Sequence, residues 1–178
     1  MRGLDGSDEE TLDMETLGLG LFFEDQPIGR SFKTIGRTIT EADIINFVTC
    51  TGMTEVMFTN FEFQKEESDI KGRVCPGALV FTFIEGLLVH ATMQHTGFAF
   101  LEMNFEIKGP TVAGDTIHAE VEVIESRRSK SRPNRGLVRT RNRVFNQRGE
   151  LILVYTPLRM VQARTDGKSA AEGACEVQ

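Results

Sequence analysis

The sequence predicts an α+β domain in which one curved antiparallel sheet wraps around one long helix. Three observations carry that prediction. Ala78 to Ala91 is apolar on nearly every side and follows Pro76-Gly77, as a buried helix would. After Gly97 the pattern changes to four strand-like segments separated by turn residues. Ahead of both, Thr40-Glu41-Ala42-Asp43 has the composition of a capped helix start.

The elements follow in order. Residues 1–20 are acidic (Asp5, Asp8, Glu9, Glu10, Asp13, Glu15) and are expected to form a flexible tail ahead of a single domain at 21–164. Residues 165–178 have linker-like composition and are expected to form a second tail. Phe32 to Ile39 alternates weakly and reads as a strand. In the helix that follows, the Thr40 hydroxyl can accept from the Asp43 amide while Asp43 reaches back to Thr40. Gly52 is its stop. Residues 53–74 mix phenylalanines with acids and read as irregular. The helix at 77–91 is too short and too interrupted to cross a bilayer. The strands run Phe98–Ile107, Thr116–Glu125, Gly136–Asn146 and Leu151–Ala163, with turns at Gly109-Pro110, Gly114-Asp115, Pro133-Asn134 and Arg148-Gly149.

Composition narrows the function classes. The chain has 178 residues, enough for one domain with a sizeable core. Its net charge of −6 does not point to nucleic acid. Cys50, Cys75 and Cys175 are odd in number and lack paired spacing, so neither a disulfide framework nor a CxxC site is expected. A reducing, cytoplasmic setting fits this cysteine usage. No long apolar run follows a basic start, so neither a signal peptide nor a membrane span is expected. The histidines His90, His95 and His118 form no i, i+4 pair, so no metal site is expected, and no cofactor is implied. His90 and His95 read as favourable charges at a helix C-terminus.

Several motifs, each weak alone, occur in one order. They are Phe23-Glu24-Asp25-Gln26-Pro27-Ile28-Gly29, the Arg37–Phe47 segment, Gly72-Arg73-Val74-Cys75-Pro76-Gly77-Ala78-Leu79, Gly114-Asp115-Thr116 and Asn146-Gln147-Arg148-Gly149-Glu150. Together they resemble the MaoC-like family, the R-specific enoyl-CoA hydratases and dehydratases of the hotdog fold, from about Phe22 to Ala163. The resemblance implies a hotdog fold and hydro-lyase chemistry on an enoyl- or hydroxyacyl-CoA thioester. It also implies an opening strand at 23–29 and a homodimer or higher homo-oligomer. In active relatives the first helix ends in G-D-x-N-P-x-H. Here Thr51-Gly52-Met53-Thr54-Glu55-Val56-Met57-Phe58 puts Met53 at the aspartate and Phe58 at the histidine.

Adding water to a 2-enoyl thioester needs a base, an acid and a donor for the thioester oxygen. Gly77 opens the central helix, where unpaired amides and the helix dipole favour an oxyanion, and the resemblance implies that role. Glu55 is the titratable group left in the altered motif and is the candidate acid/base; it equally reads as a solvent-facing loop residue. The implied substrate pocket comprises Met53, Phe58, Cys75, Pro76 and Ala78, with Phe61, Phe63 and Phe81 also bearing on its depth. Glu85 is a charge inside an apolar helix. It reads either as a thioesterase base or, more simply, as the partner of a basic or hydroxyl group across a subunit interface. The basic stretch Ser126–Gly136 resembles the family's S-K-S-R-P loop, and Lys130, Arg132 and Arg135 are candidate contacts for the phosphates of coenzyme A. Arg139, Arg141 and Arg143 share one strand face and read either as part of that patch or as a solvated surface. Two readings from other classes stand beside the hydro-lyase: a catalytically silent acyl-CoA-binding or partner subunit, and an acyl-CoA thioesterase.

Overall fold

The computed structural model describes residues 14–164. The expected tails at 1–13 and 165–178, with Cys175, lie outside them. Among the described residues, six strands and three further α-helices are arranged around α4 (Gly77–Thr92). The main strands are β3 (Gly97–Ile107), β4 (Thr116–Arg128), β5 (Arg135–Phe145) and β6 (Leu151–Gln162). Two short strands, β1 (Ser31–Lys33) and β2 (Arg37–Thr38), both pair with β4. The sheet order is β1-β4-β5-β6-β3, and every pairing is antiparallel. This is the α+β architecture that the sequence predicts.

Strand alternation puts Ile117, Ala119 and Val121 of β4 and Val144 of β5 on the inner face, with Leu153 and Tyr155 of β6. They pack against Leu79, Val80, Ile84 and Leu88 of α4 and against Ile44 and Val48 of α1 (Glu41–Thr51). The cap of α1 is reciprocal: Asp43 N–H donates to Thr40 Oγ1 (3.2 Å) and Thr40 N–H donates to Asp43 Oδ2 (2.8 Å). Gly52 ends α1 at φ 71, a left-handed conformation that glycine adopts without a Cβ clash.

Four details differ from the sequence reading. The segment 23–29 is not a strand. It starts with a 3₁₀ turn at Phe23–Asp25, and pairing begins only after Gly29, whose N–H donates to Val123 O. The expected strand at 32–39 is broken in two. Thr34 leaves the ladder, using its N–H on Ala119 O and its hydroxyl to accept from Ala119 N–H. The segment expected to be irregular contains α2 (Val56–Thr59) and α3 (Phe61–Glu66), each started by a side-chain cap, Glu55 and Asn60. Finally, α4 buries one face only: in a single chain Val89 is exposed and Phe81, Phe83 and Leu87 are partly covered.

The exposed side of α4 lies toward β3, an edge strand with every residue exposed. Phe98, Phe100, Leu101, Met103, Phe105 and Ile107 all belong to it. On the outer sheet face, arginines and glutamates pair across the strands. Arg143 meets Glu120 (3.1 Å), Arg141 meets Glu122 (3.2 Å) and Arg139 meets Glu125 (3.1 Å). The face at 139, 141 and 143 is therefore a paired, solvated surface.

One turn fastens these parts together. Asp115 is 2% exposed. Its carboxylate accepts from Val112 N–H (3.0 Å), Gln147 Nε2 (3.0 Å) and Arg148 Nη1 (2.9 Å). Burial opposes its ionisation, but these three donors outweigh burial and hold its pKa below the usual aspartate value. A carboxylate with a depressed folded-state pKa contributes stability above the unfolded value near 4, and that stability is lost as pH falls through the lower folded value. Asp115→Asn should flatten the loss of stability below about pH 4 and, by weakening three bonds, cost roughly 2–4 kcal/mol at pH 7. Urea unfolding of both proteins across pH 2.5–7 measures both effects.

Candidate functional site

An apolar cavity of about 320 Å³ lies at the N-terminal end of α4. Gly77 and Val80 form one side, Val74 and Cys75 the approach to the helix, and Ile107, Ile152 and Leu153 the sheet side. Met57, Phe58 and Ile70 close it from the α2–α3 segment, and Gly109, Pro110 and Thr111 from the turn after β3. A Cβ at Gly77 would meet only the Cδ1 tip of the exposed Ile107 side chain, at 2.5 Å. The Gly77 N–H donates to no acceptor among the described residues, whereas the Pro76 carbonyl already serves Leu79 and Val80. An unpaired amide at the positive end of a sixteen-residue helix thus borders an apolar space.

The wall contributed by α2 is held from outside. Arg73 donates to the Phe58 carbonyl and, through Nε, to Glu41 Oε1 (2.7 Å), linking the α4 approach to α1. Gln64 of α3 donates to the Met57 carbonyl. Phe58 therefore faces the cavity from the position where the resemblance expects a histidine.

The other expected residues are placed unevenly. Phe58, Cys75 and Gly77 are together on the wall. Pro76 is buried as the residue preceding α4, Ala78 is exposed, and Met53 is 37% exposed; none of the three is on the wall. Glu55 is also off the wall: it precedes α2 and its Oε2 accepts from Met57 N–H at 2.6 Å, so it acts as a helix cap. Phe81 packs edge-on against Phe105 and Tyr155 in the core, and Phe61 lies under the Arg73 guanidinium at 4.9 Å.

Glu85 finds its basic and hydroxyl partners within its own chain rather than across an interface. It accepts from Tyr155 Oη (2.6 Å) and pairs with Arg159 (2.5 Å). Burial first, and then the Glu85 charge, raise the Tyr155 pKa, so the phenol stays a donor. With both partners engaged, this carboxylate is part of a structural pair.

Lys130, Arg132 and Arg135 lie at the other end of the sheet from the cavity. Arg135 stacks over Phe98 at 3.4 Å, near the start of β3, whereas Ile107 on the cavity wall is its last residue. At about 3.3 Å per residue the two ends are roughly 30 Å apart. None of these three cations has an acidic partner among the described residues. Sequence reasoning missed a nearer group. A polar cleft of about 470 Å³ shares Ile70, Gly109, Pro110 and Ile152 with the apolar cavity and is lined by the cations Lys71, Lys108 and Arg148 and by the acids Asp69, Asp115 and Glu150. These cations come from three separate segments, so no local motif marks them.

Among the described residues, no group of three or more histidine, cysteine, aspartate or glutamate side chains could hold a metal ion, and no helix is long and apolar enough to cross a membrane.

Comparison with known proteins agrees with this fold. Residues 24–145 match the model of the MaoC-like domain. The chain is similar to a MaoC-like dehydratase from Rhodospirillum rubrum (27% identity, TM-score 0.73, covering 82% of this chain and 99% of that one). It has the fold of an R-hydratase from Pseudomonas aeruginosa (21% identity, TM-score 0.67, 82% and 88%). It also has that of a double-hotdog protein from Mycobacterium tuberculosis (21%, TM-score 0.75, 86% and 47%), of which it spans about half. No curated protein matches the chain.

Cys75 is the one titratable side chain on the cavity wall. Burial first, then the charges of Asp115 and Asp43, push its thiol up to about 12. It is therefore a buried, neutral packing group at pH 8, whereas Cys50 is exposed at the surface. Iodoacetamide at pH 8 should label Cys50 and spare Cys75 until urea is added, as peptide mass spectrometry would detect.

Proposed function

Because this chain belongs to the MaoC-like domain family, we propose that it binds a 2-enoyl- or 3-hydroxyacyl-CoA thioester as a subunit of a hydratase/dehydratase. The observation that carries this reading is the apolar cavity with the unpaired Gly77 N–H at its border. The acyl chain fills the apolar space, and the thioester oxygen accepts from Gly77. As that oxygen gains enolate charge, the α4 dipole stabilises it. The phosphates of the carrier extend into the polar cleft, where Lys71, which has no acidic partner among the described residues, can meet them.

Proton transfer is what the wall lacks. Phe58 carries no exchangeable side-chain proton, and the Cys75 thiol is held neutral. This favours a thioester-binding subunit whose acid and base come from elsewhere in an assembly. A second reading keeps the chemistry in the chain. Glu55 is exposed, one hydrogen bond holds its carboxylate on the α2 cap, and Met57 of the cavity wall is two residues away. Released from the cap, Glu55 could act as base and then acid.

Crotonyl-CoA separates the readings. Binding in the micromolar range without loss of the conjugated thioester absorbance supports the binding subunit. Turnover that falls at least a hundredfold in Glu55→Gln supports the second reading. Absence of binding to any enoyl- or hydroxyacyl-CoA refutes both.

The open edge and apolar side chains of β3 favour pairing with the same strand of a second copy. Antiparallel pairing would bring the Arg135 end of one chain beside the Ile107 end of the other. Lys130, Arg132 and Arg135 would then serve the neighbouring cavity. Sedimentation should show a dimer for the wild type and a shift toward monomer for Met103→Arg.

A further inference from the structure

We propose that residues 53–71 form a lid over the apolar cavity and that Arg73 is its latch, a positioning residue that sets how fast a ligand enters and leaves; the ligand class rests on the thioester reading above. Met57, Phe58 and Ile70 of this segment close the cavity. The segment is flanked by glycines in the left-handed region, Gly52 at φ 71 and Gly72 at φ 101. Such positions at the ends of an element are suited to act as hinges. Inside, the segment is braced. Asn60 Oδ1 accepts from Glu62 and Phe63 N–H at 3.0 and 3.1 Å, and Asn60 N–H donates to Val56 O at 2.9 Å. The buried Gln64 donates to the Met57 carbonyl, which joins α3 to α2 as one unit.

Toward the rest of the chain the segment is held by little. Thr54 N–H donates to Gly52 O at the hinge itself. Beyond that, one hydrogen bond among the described residues crosses from 53–71 to the body of the domain, from Arg73 to the Phe58 carbonyl. The same guanidinium covers the Phe61 ring at 4.9 Å. The base of Arg73 does not depend on the lid. Its Nε donates to Glu41 Oε1 of α1 at 2.7 Å, and its carbonyl accepts from Ala113 N–H at 2.9 Å. The facing walls are fastened by backbone bonds. Ile152 O accepts from Lys108 and Gly109 N–H at 2.7 and 3.2 Å, and Thr111 O accepts from Cys75 N–H at 2.8 Å. A segment with few bonds to the body opens at a lower free energy than a laddered core. Of the cavity's walls, 53–71 is therefore the one that opens. Arg73 is not on the cavity wall, so the latch holds the empty and the filled lid alike. Breaking it speeds entry and exit by the same factor and leaves affinity unchanged.

The test is the kinetics of crotonyl-CoA binding and release by surface plasmon resonance, with hydrogen–deuterium exchange of the unliganded proteins. Full-length wild type is compared with Arg73→Met, which keeps an apolar stem and removes the donors. Arg73→Met should raise the association and dissociation rates together by about tenfold or more, the scale of a hydrogen bond from a charged donor, with Kd within about threefold of wild type. Exchange at residues 55–70 should rise by a similar factor while α4 and β4–β6 keep their protection. Unchanged rates overturn the latch. So does a weaker Kd with an unchanged association rate, the signature of a residue that shapes the filled site instead. If Arg73→Met does not fold, Glu41→Gln loosens the guanidinium at its base and should raise both rates about twofold to fivefold, no change overturning the proposal. If crotonyl-CoA does not bind the wild type, the thioester reading fails and exchange alone decides the lid. Protection at 55–70 equal to that of α4, or unmoved by Arg73→Met, then overturns it.

Discussion

The buried carboxylate of Asp115 is the interaction on which the site depends. It closes the turn at 112–115 and accepts from the β5–β6 hairpin through Gln147 and Arg148. The same turn is tied to two other parts of the chain by backbone bonds. Gly114 N–H donates to Ile39 O and Ile39 N–H to Asp115 O, just ahead of α1. Ala113 N–H donates to Arg73 O and Cys75 N–H to Thr111 O, on the approach to α4. One short segment thus fixes where α1 begins, where α4 begins and where the hairpin lies. A charged group buried this deeply is tolerated because its donors replace the water it has lost.

The cavity is a consequence of that fastening. The N-terminus of α4 lies against the Ile107 end of β3, and Gly77 and Ile107 share the cavity wall. Thr111 and Cys75 are joined by a backbone bond, so polar and apolar parts of the wall keep a fixed spacing. Arg73 and Gln64 hold the Met57–Phe58 backbone over the opening from outside, which leaves those side chains free to face inward. The result is an apolar space with an amide at one border and few side chains that carry protons.

Charge is distributed by the same logic. The central strands need polar outer faces, and cross-strand arginine–glutamate pairs supply them at little net energy each. That pairing consumes Arg139, Arg141 and Arg143 as surface groups. The loop cations Lys130, Arg132 and Arg135 are left over. Burial first, and then the Arg132 charge, lower the pKa of Arg135, an arrangement that an anion would relieve. The edge strand β3 carries no comparable cover, and its exposed aromatics are the face most in need of a neighbour.

By itself the sequence determined what is local. The Thr40–Asp43 cap, the Gly52 stop, the start of α4 after Pro76 and the four long strands are set by neighbouring residues, and each was legible in spacing and turn chemistry. So was the motif whose resemblance implies that Met53 and Phe58 stand where relatives carry an aspartate and a histidine. Tertiary structure decided what depends on partners distant in sequence. It broke the strand at 32–39 because Thr34 hydrogen-bonds Ala119, and it gave Glu85 partners seventy or more positions away. It set Glu55 as a cap outside the cavity, although its place in the motif had made it the candidate acid/base. It brought Lys71, Lys108 and Arg148 to one cleft together with Asp69, Asp115 and Glu150, a grouping that no periodicity announces. The physical reason is the same in each case: a cap or a period is satisfied within a few residues, whereas burial and pairing are settled only when the strands close around α4.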